Sequence, residues 1–267
     1  MLPNKYSLYE ASVQSPETTI EWYVKIFKEL RGVFPTMLRE DFCGTFALSA
    51  EWVRRNKRNN ALGLDLDPEP LAYGKANHLT KLNPEQRKRL KVVQKNVLER
   101  TTPSADVIMA GNFSFFIFKE RKTLVKYFKT CVASLKPKKG ILVLEMAGGP
   151  GMIRRMREQR TIHGKKSAVT YVWDQREFNP ITRNGHYSIH FKFPKGPYKG
   201  KTMKHAFTYD WRIWTIPEVR DAMAEAGFSR SVVFWESTHA GHGTGEYLQT
   251  EEGDNADSYI AYVVGLR

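Results

Sequence analysis

Hydrophobic positions repeat with two different periods along the chain, and the change from one to the other outlines the architecture. The first forty residues read as helical: Ser15-Pro16-Glu17 supplies a cap and a first-turn proline, and Ile20, Tyr23, Val24, Phe27 and Leu30 follow at helical spacing. Gly32 and Pro35 then stop the run. Beyond them, short apolar runs at residues 37–40, 61–65, 92–97, 105–110 and 141–146 alternate with helical stretches at 45–55, 68–79, 84–90 and 120–135. Strand and helix in alternation predict a parallel sheet with helices on both faces. The runs are apolar without strict alternation, as strands buried on both sides must be.

After Gly151 the pattern changes. Residues 154–160 read as a helix end, whereas 169–173, 187–193 and 205–211 alternate aromatic and polar residues between Asn-Pro, Asn-Gly and Lys-Gly turns. This predicts an antiparallel insertion. A helix at 217–226 closed by Gly227, a strand at 231–235, a polar glycine-rich loop at 237–257 and a last strand at 259–264 complete the chain. Two final strands joined without a helix must pair antiparallel.

Composition narrows the class. With 15 Phe, 12 Tyr and 6 Trp in 267 residues, there is ample apolar area for a core, which excludes a disordered chain. Cys43 and Cys131 are too far apart for a C-x-x-C clip, and the histidines His163, His186, His190, His205, His239 and His242 are too scattered for metal-ligand spacing. No metal is expected. No apolar run reaches the roughly 18 residues of a membrane span, and residues 1–10 lack the basic-then-apolar order of a secretory signal, so a cytoplasmic protein without a membrane partner is expected.

The net charge of +14 makes nucleic acid a candidate partner. The basic clusters are short, however: Arg54-Arg55-Asn56-Lys57-Arg58, Arg87-Lys88-Arg89 and Arg154-Arg155-Met156-Arg157. All fall where helices are expected, so solvated helix faces are the first reading and an anion-lining role the second.

In an open parallel sheet, ligands bind beyond the carboxyl ends of the strands, near the point where strand order reverses. After the first strand the chain reads Arg39-Glu40-Asp41-Phe42-Cys43-Gly44-Thr45, and Gly44 lets backbone approach a ligand. After the second it reads Gly63-Leu64-Asp65-Leu66-Asp67-Pro68, with Asp65 25 residues beyond Glu40, the place of an acid that accepts ribose hydroxyls. A nucleoside-containing ligand is implied. A dinucleotide would want G-x-G-x-x-G to hold its pyrophosphate, whereas this loop keeps one glycine and sets Glu40 and Asp41 where phosphate would be repelled. A cation suits it better.

On these residues the sequence resembles the class I S-adenosylmethionine-dependent methyltransferases, over about 36–148 and 215–264. Glu40, Phe42, Gly44 and Phe46 fall on the acid and three glycines of that family's E/D-x-G-x-G-x-G motif, of which only the middle glycine is present. The resemblance implies S-adenosylmethionine as cofactor, its amino-acid half flanked by Glu40 and by Phe42, Cys43, Gly44 and Thr45. Asp65 matches the acid that holds both ribose hydroxyls, and Leu66 follows along the adenine face. Asn96 and Val97 match the residues that read the adenine amino edge. Asn112-Phe113-Ser114-Phe115 resembles the motif that borders the transferred methyl group. Phe42, Phe46, Phe113 and Phe115 could face a sulfonium, with plain core packing as the alternative for each. Cys43 reads as a small buried residue rather than a nucleophile.

The implied fold is α/β, a doubly wound, seven-stranded, mostly parallel sheet with an antiparallel β insertion. The implied divisions are an N-terminal helical lid segment (1–35), a cofactor-binding Rossmann-like core (36–160), an antiparallel substrate cap (161–212) and a closing helix and strands (213–267). Tyr9 in the lid, Ser114, and Tyr171, Trp173, Arg176 and Tyr209 in the insertion are expected to meet a small-molecule acceptor, methylated at N or O by in-line transfer. No catalytic base is assigned. Methylation of tRNA or rRNA is the second reading, and a cofactor-binding module without turnover the third.

Overall fold

The computed structural model describes residues 2–163, 168–239 and 242–267. Residues 164–167 of the expected insertion and 240–241 of the expected glycine-rich loop lie outside them. Two helices open the chain, α1 (Lys5–Val13) and α2 (Pro16–Arg31). Pro16 starts α2 in its first turn, and Gly32 ends it in the left-handed region at φ 70°. Ile20, Tyr23, Ile26 and Phe27 form its buried stripe.

The core then alternates β1 (Met37–Asp41), α3 (Ala47–Arg55), β2 (Asn60–Asp65), α4 (Pro68–Asn77), α5 (Pro84–Lys88), β3 (Leu90–Gln94), β4 (Val107–Ala110), α6 (Arg121–Ser134) and β5 (Ile141–Gly148). Four strands follow as a separate antiparallel sheet, β6 (Met156–His163), β7 (Ala168–Asn179), β8 (Asn184–Lys192) and β9 (Thr202–Arg212). The chain closes with α7 (Ile216–Ala226), β10 (Arg230–His239), β11 (His242–Gln249) and β12 (Tyr259–Leu266). A reciprocal Thr215–Glu218 capping box starts α7 and Gly227 ends it at φ 100°.

The main sheet has the order β3-β2-β1-β4-β5-β12-β10-β11. β1 to β5 are parallel, whereas β12 pairs antiparallel with both β5 and β10. Strand order reverses between β1 and β4, which opens a crevice above their carboxyl ends. One face packs Ile20, Tyr23 and Phe27 of α2 and Trp52 of α3 against Leu38, Val107 and Val143. The other packs Phe128 of α6 and Met223 of α7 against Ile108 and Leu142.

Three expectations change. Among the described residues the sheet has eight strands rather than seven, because β11 occupies part of the expected 237–257 loop and pairs along β10. Residues 156–163 are strand β6 rather than a helix end, held by backbone pairing with β7. The expected helix at 84–90 is the shorter α5, and Leu90 already begins β3. Among the described residues, no helix is long and apolar enough to cross a membrane.

Candidate functional site

A cleft of about 520 Å³ opens at the switch point. The end of β1 supplies Glu40, Asp41 and the loop from Phe42 to Thr45; the end of β2 supplies Asp65 and Asp67; the end of β4 supplies Met109, Gly111, Asn112 and Ser114. Lys5, Tyr6, Tyr9 and Gln14 enter from α1 and its C-cap, and Phe207, Tyr209 and Trp211 enter from β9. The volume lies within the range of small-molecule and cofactor sites.

The loop after β1 is shaped by three positive φ angles, 55° at Phe42, 52° at Gly44 and 50° at Phe46. These are the motif's three glycine positions, and a phenylalanine holds the same left-handed turn at two of them. Each costs about 1 kcal/mol or more in backbone strain, which packing must offset. Phe46 is fully buried, and Gly74 of α4, lacking a Cβ, leaves room for its ring. Phe42 packs 5.8 Å from Phe118 and 6.1 Å from Tyr127. Both rings therefore fix the loop's path, and Phe46, buried in the core, does not border the cleft.

Asp65 ties this loop to the next. Its Oδ2 accepts the Gly44 N–H at 2.7 Å and its Oδ1 the Asp67 N–H at 2.9 Å. A carboxylate has about four lone-pair sites, so capacity remains for hydroxyl donors. Asp67 caps α4 by accepting the Glu69 N–H at 2.9 Å.

Acids dominate the electrostatics of the cleft despite the basic chain. Glu40 is buried, and its Oε2 accepts the Ser49 N–H at 2.8 Å and the Ser49 hydroxyl at 2.5 Å. Burial pushes its carboxyl up to about 7, against the pull of the two Ser49 bonds, and the charges of Asp65 and Asp41 add to the rise. Asp41 is neutralised by Arg39 at 2.6 Å, and the guanidinium also reaches Thr101, Ser134 and the Val97 carbonyl. Burial raises the Tyr9 and Tyr209 phenols above their ordinary range, so both stay protonated near neutral pH. Burial likewise raises the Cys43 thiol well above its ordinary value, which leaves it an unreactive filler.

The N-terminal segment is tied to residues around the cleft. Lys5 pairs with Glu69 at 2.8 Å, and Glu10 accepts the Thr45 hydroxyl at 2.5 Å and meets His78 Nε2 at 2.7 Å. The Tyr9 ring lies 4.8 Å from Phe207. Lys5, Glu10 and Gln14 carried no motif in the sequence; only the path of α1 brings them here.

Of the residues expected at the site, Glu40, Phe42, Cys43, Gly44, Thr45, Asp65, Asn112, Tyr9, Ser114 and Tyr209 meet in the cleft. Others stand apart. Leu66 projects into solvent at 59% exposure. Asn96 spends its side-chain oxygen on the Leu98 N–H at 2.9 Å, and Val97 is buried with its carbonyl on Arg39. Arg176 is exposed and pairs with Asp174 at 3.2 Å and His205 at 3.0 Å. Phe113, Tyr171 and Trp173 line a second recess of about 720 Å³ with Ala147, Gln175 and Glu236. Asn112 borders the cleft and Phe113 the recess, so the two spaces adjoin across that peptide.

This arrangement is the class I S-adenosylmethionine-dependent methyltransferase fold with an antiparallel sheet inserted before its closing helix. The similarity spans the chain. CalS10, an amino pentose methyltransferase from Micromonospora echinaspora involved in calicheamicin biosynthesis, solved with S-adenosylmethionine bound, matches with TM-score 0.71 at 15% identity, over 100% of this chain and 98% of that one. DesVI of Streptomyces venezuelae matches with TM-score 0.71 at 15% identity, over 98% and 96%. The sugar N-methyltransferase KedS8 of a Streptoalloteichus species matches with TM-score 0.68 at 17% identity, over 100% and 94%. No family model and no curated protein sequence matches the chain.

Proposed function

We propose that this protein is an S-adenosylmethionine-dependent methyltransferase that transfers a methyl group in line to a nitrogen or oxygen of a small molecule. The observation that carries the reading is an acidic cleft at the switch point of a +14 chain, lined by Glu40 at the end of β1 and Asp65 at the end of β2. Such a cleft favours a sulfonium cation over a pyrophosphate. When bound, the cofactor supplies a methyl group on positively charged sulfur, ready for displacement.

The protein's own part is alignment and exclusion of water. Asp65 and the Gly44 turn would hold the nucleoside, while Glu40 and the Cys43–Thr45 backbone would flank the methionine half. Tyr9 and Tyr209, kept protonated, can donate hydrogen bonds from above. The adjoining recess, walled by Phe113, Tyr171 and Trp173, would take the acceptor, and α1 with β9 would cover both spaces. CalS10, an amino pentose methyltransferase, and KedS8, a sugar N-methyltransferase, share this fold and support this acceptor class.

RNA is the second reading, favoured by net charge alone. Two of the basic residues behind it are already engaged: Arg55 pairs with Glu51 at 2.9 Å and Glu21 at 2.8 Å, and Arg54 with Glu51 at 3.4 Å. Incubation with methyl-labelled S-adenosylmethionine and separate metabolite and RNA extracts tests the proposal. Label in the metabolite pool is expected; label in RNA alone would replace the acceptor class, and binding without transfer would leave a non-catalytic module.

A further inference from the structure

Glu145 and Tyr23 lie just behind the cleft floor, and both keep bonding capacity that the protein leaves unused. Ala110 of β4 is level with Leu144 of β5, so the next residues, Gly111 and Glu145, are neighbours. A Cβ built on Gly111 would lie 3.5 Å from Glu145 Oε2 and 3.9 Å from the Tyr23 hydroxyl, so the missing side chain leaves a gap that both oxygens border. Glu145 Oε2 accepts the Asn112 N–H at 2.5 Å, and no described protein group bonds its Oε1. Tyr23 is fully buried and its hydroxyl has no partner among the described residues. Gln14, which lines the cleft with Gly111, also has a buried oxygen, Oε1, without a partner among the described residues.

The chemistry of this gap is one-sided. It presents a carboxylate oxygen and a phenol oxygen, and among the described residues no Lys or Arg forms an ion pair with Glu145. Glu145 is half-buried rather than enclosed, so its carboxylate, without a counter-charge in the protein, is open to a cation arriving from outside. An anion would be repelled. An ammonium carries three N–H donors and no acceptor, which matches the set of free oxygens. Burial raises the Glu145 carboxyl, as expected for an acid awaiting its counter-charge, while the Asn112 bond opposes that rise.

We propose that Glu145 and Tyr23 form the binding site for an aliphatic ammonium group at the junction of cleft and recess. The site rests on the reading of the cleft as a methyl-donor site, and its position follows from its neighbours: Asn112 borders the cleft, and Ala147, two residues along β5 from Glu145, borders the recess. The ammonium belongs either to the amine acceptor or to the donor's own amino-acid end.

Calorimetry near neutral pH separates these sources with three probes. S-adenosylhomocysteine carries an α-ammonium, 5′-methylthioadenosine lacks it, and cyclohexylammonium is compared with neutral cyclohexanol. In Glu145→Gln, a loss of about tenfold or more in S-adenosylhomocysteine affinity with methylthioadenosine unchanged assigns the site to the donor. A similar loss confined to cyclohexylammonium assigns it to the acceptor. Tyr23→Phe removes an oxygen that bonds no described residue, so it should fold normally and weaken the same probe about threefold. Unchanged affinity for both ammonium probes in both variants overturns the proposal, as does a wild-type protein that binds neither. A wild-type protein that prefers cyclohexylammonium to cyclohexanol, loses that preference in Glu145→Gln, yet binds no adenosyl compound keeps the ammonium site and sinks the methyl-donor reading.

Discussion

Replacing Glu40 by glutamine should remove a loss of stability that otherwise accumulates as pH rises from about 4.5 to about 7. Glu40 is 4% exposed, and burial lifts its carboxyl from the ordinary 4.5 to about 7 even though Ser49 donates two hydrogen bonds to it. A carboxyl with a raised folded-state pKa holds its proton more tightly in the native protein. The native state is therefore favoured at low pH, loses stability through the window between the unfolded and folded values, and is level above it. The gap corresponds to roughly 3 kcal/mol. Glutamine keeps an oxygen for the Ser49 donors and has no proton to lose. Urea denaturation of both proteins from about pH 4 to about pH 8 should show the variant gaining on wild type by up to that amount and then running parallel. Stability profiles that stay parallel throughout the window would refute the reasoning, because other groups, such as Asp106 with its lowered pKa, are common to both proteins.

The same carboxyl governs ligand charge. Preference for S-adenosylmethionine over S-adenosylhomocysteine should rise with pH up to about 7 and then level off, since a bound sulfonium favours ionised Glu40; a flat calorimetric ratio would place the sulfur elsewhere. Asp65→Ala should weaken S-adenosylhomocysteine binding at least tenfold, about 1.4 kcal/mol, and lower the melting midpoint because the Gly44 and Asp67 N–H groups lose their acceptor. Unchanged affinity in calorimetry removes Asp65 from the site. Trp173→Phe keeps an aromatic ring against Tyr187, whose centroid is 5.5 Å away, and should raise the acceptor KM while leaving donor affinity alone; equal losses count against an acceptor role for the recess. Neutralising Arg54, Arg55 and Arg58 together should leave methyl transfer to small molecules unchanged, and a selective loss of RNA retention in low salt would favour the RNA reading.

The parallel core was legible because strands buried on both faces, such as Ile141 to Leu144, form continuous apolar runs. The strands that escaped notice sit at sheet edges. β6 reads MREQRTIH and β11 reads HGTGEYLQ, and each is held mainly by backbone pairing to one neighbour, which leaves little hydrophobic pattern to read. The acids Glu40 and Asp65 were legible because a strand end followed by a turn fixes where a side chain must stand. Leu66 shows the limit of that logic: one position past Asp65 it already faces solvent. Glu10 and Gln14 owe their places to the path of α1 across the sheet, and Glu145 to the register of β5 beside β4; neither leaves a local signature.

A crystal of the protein grown with S-adenosylhomocysteine tests the central claim most directly. The account expects the ribose hydroxyls within hydrogen-bond distance of Asp65, the amino-acid end beside Glu40 and Gly44, and the sulfur turned toward Asn112. An empty cleft at saturating ligand, or a ribose bound away from Asp65, would contradict it.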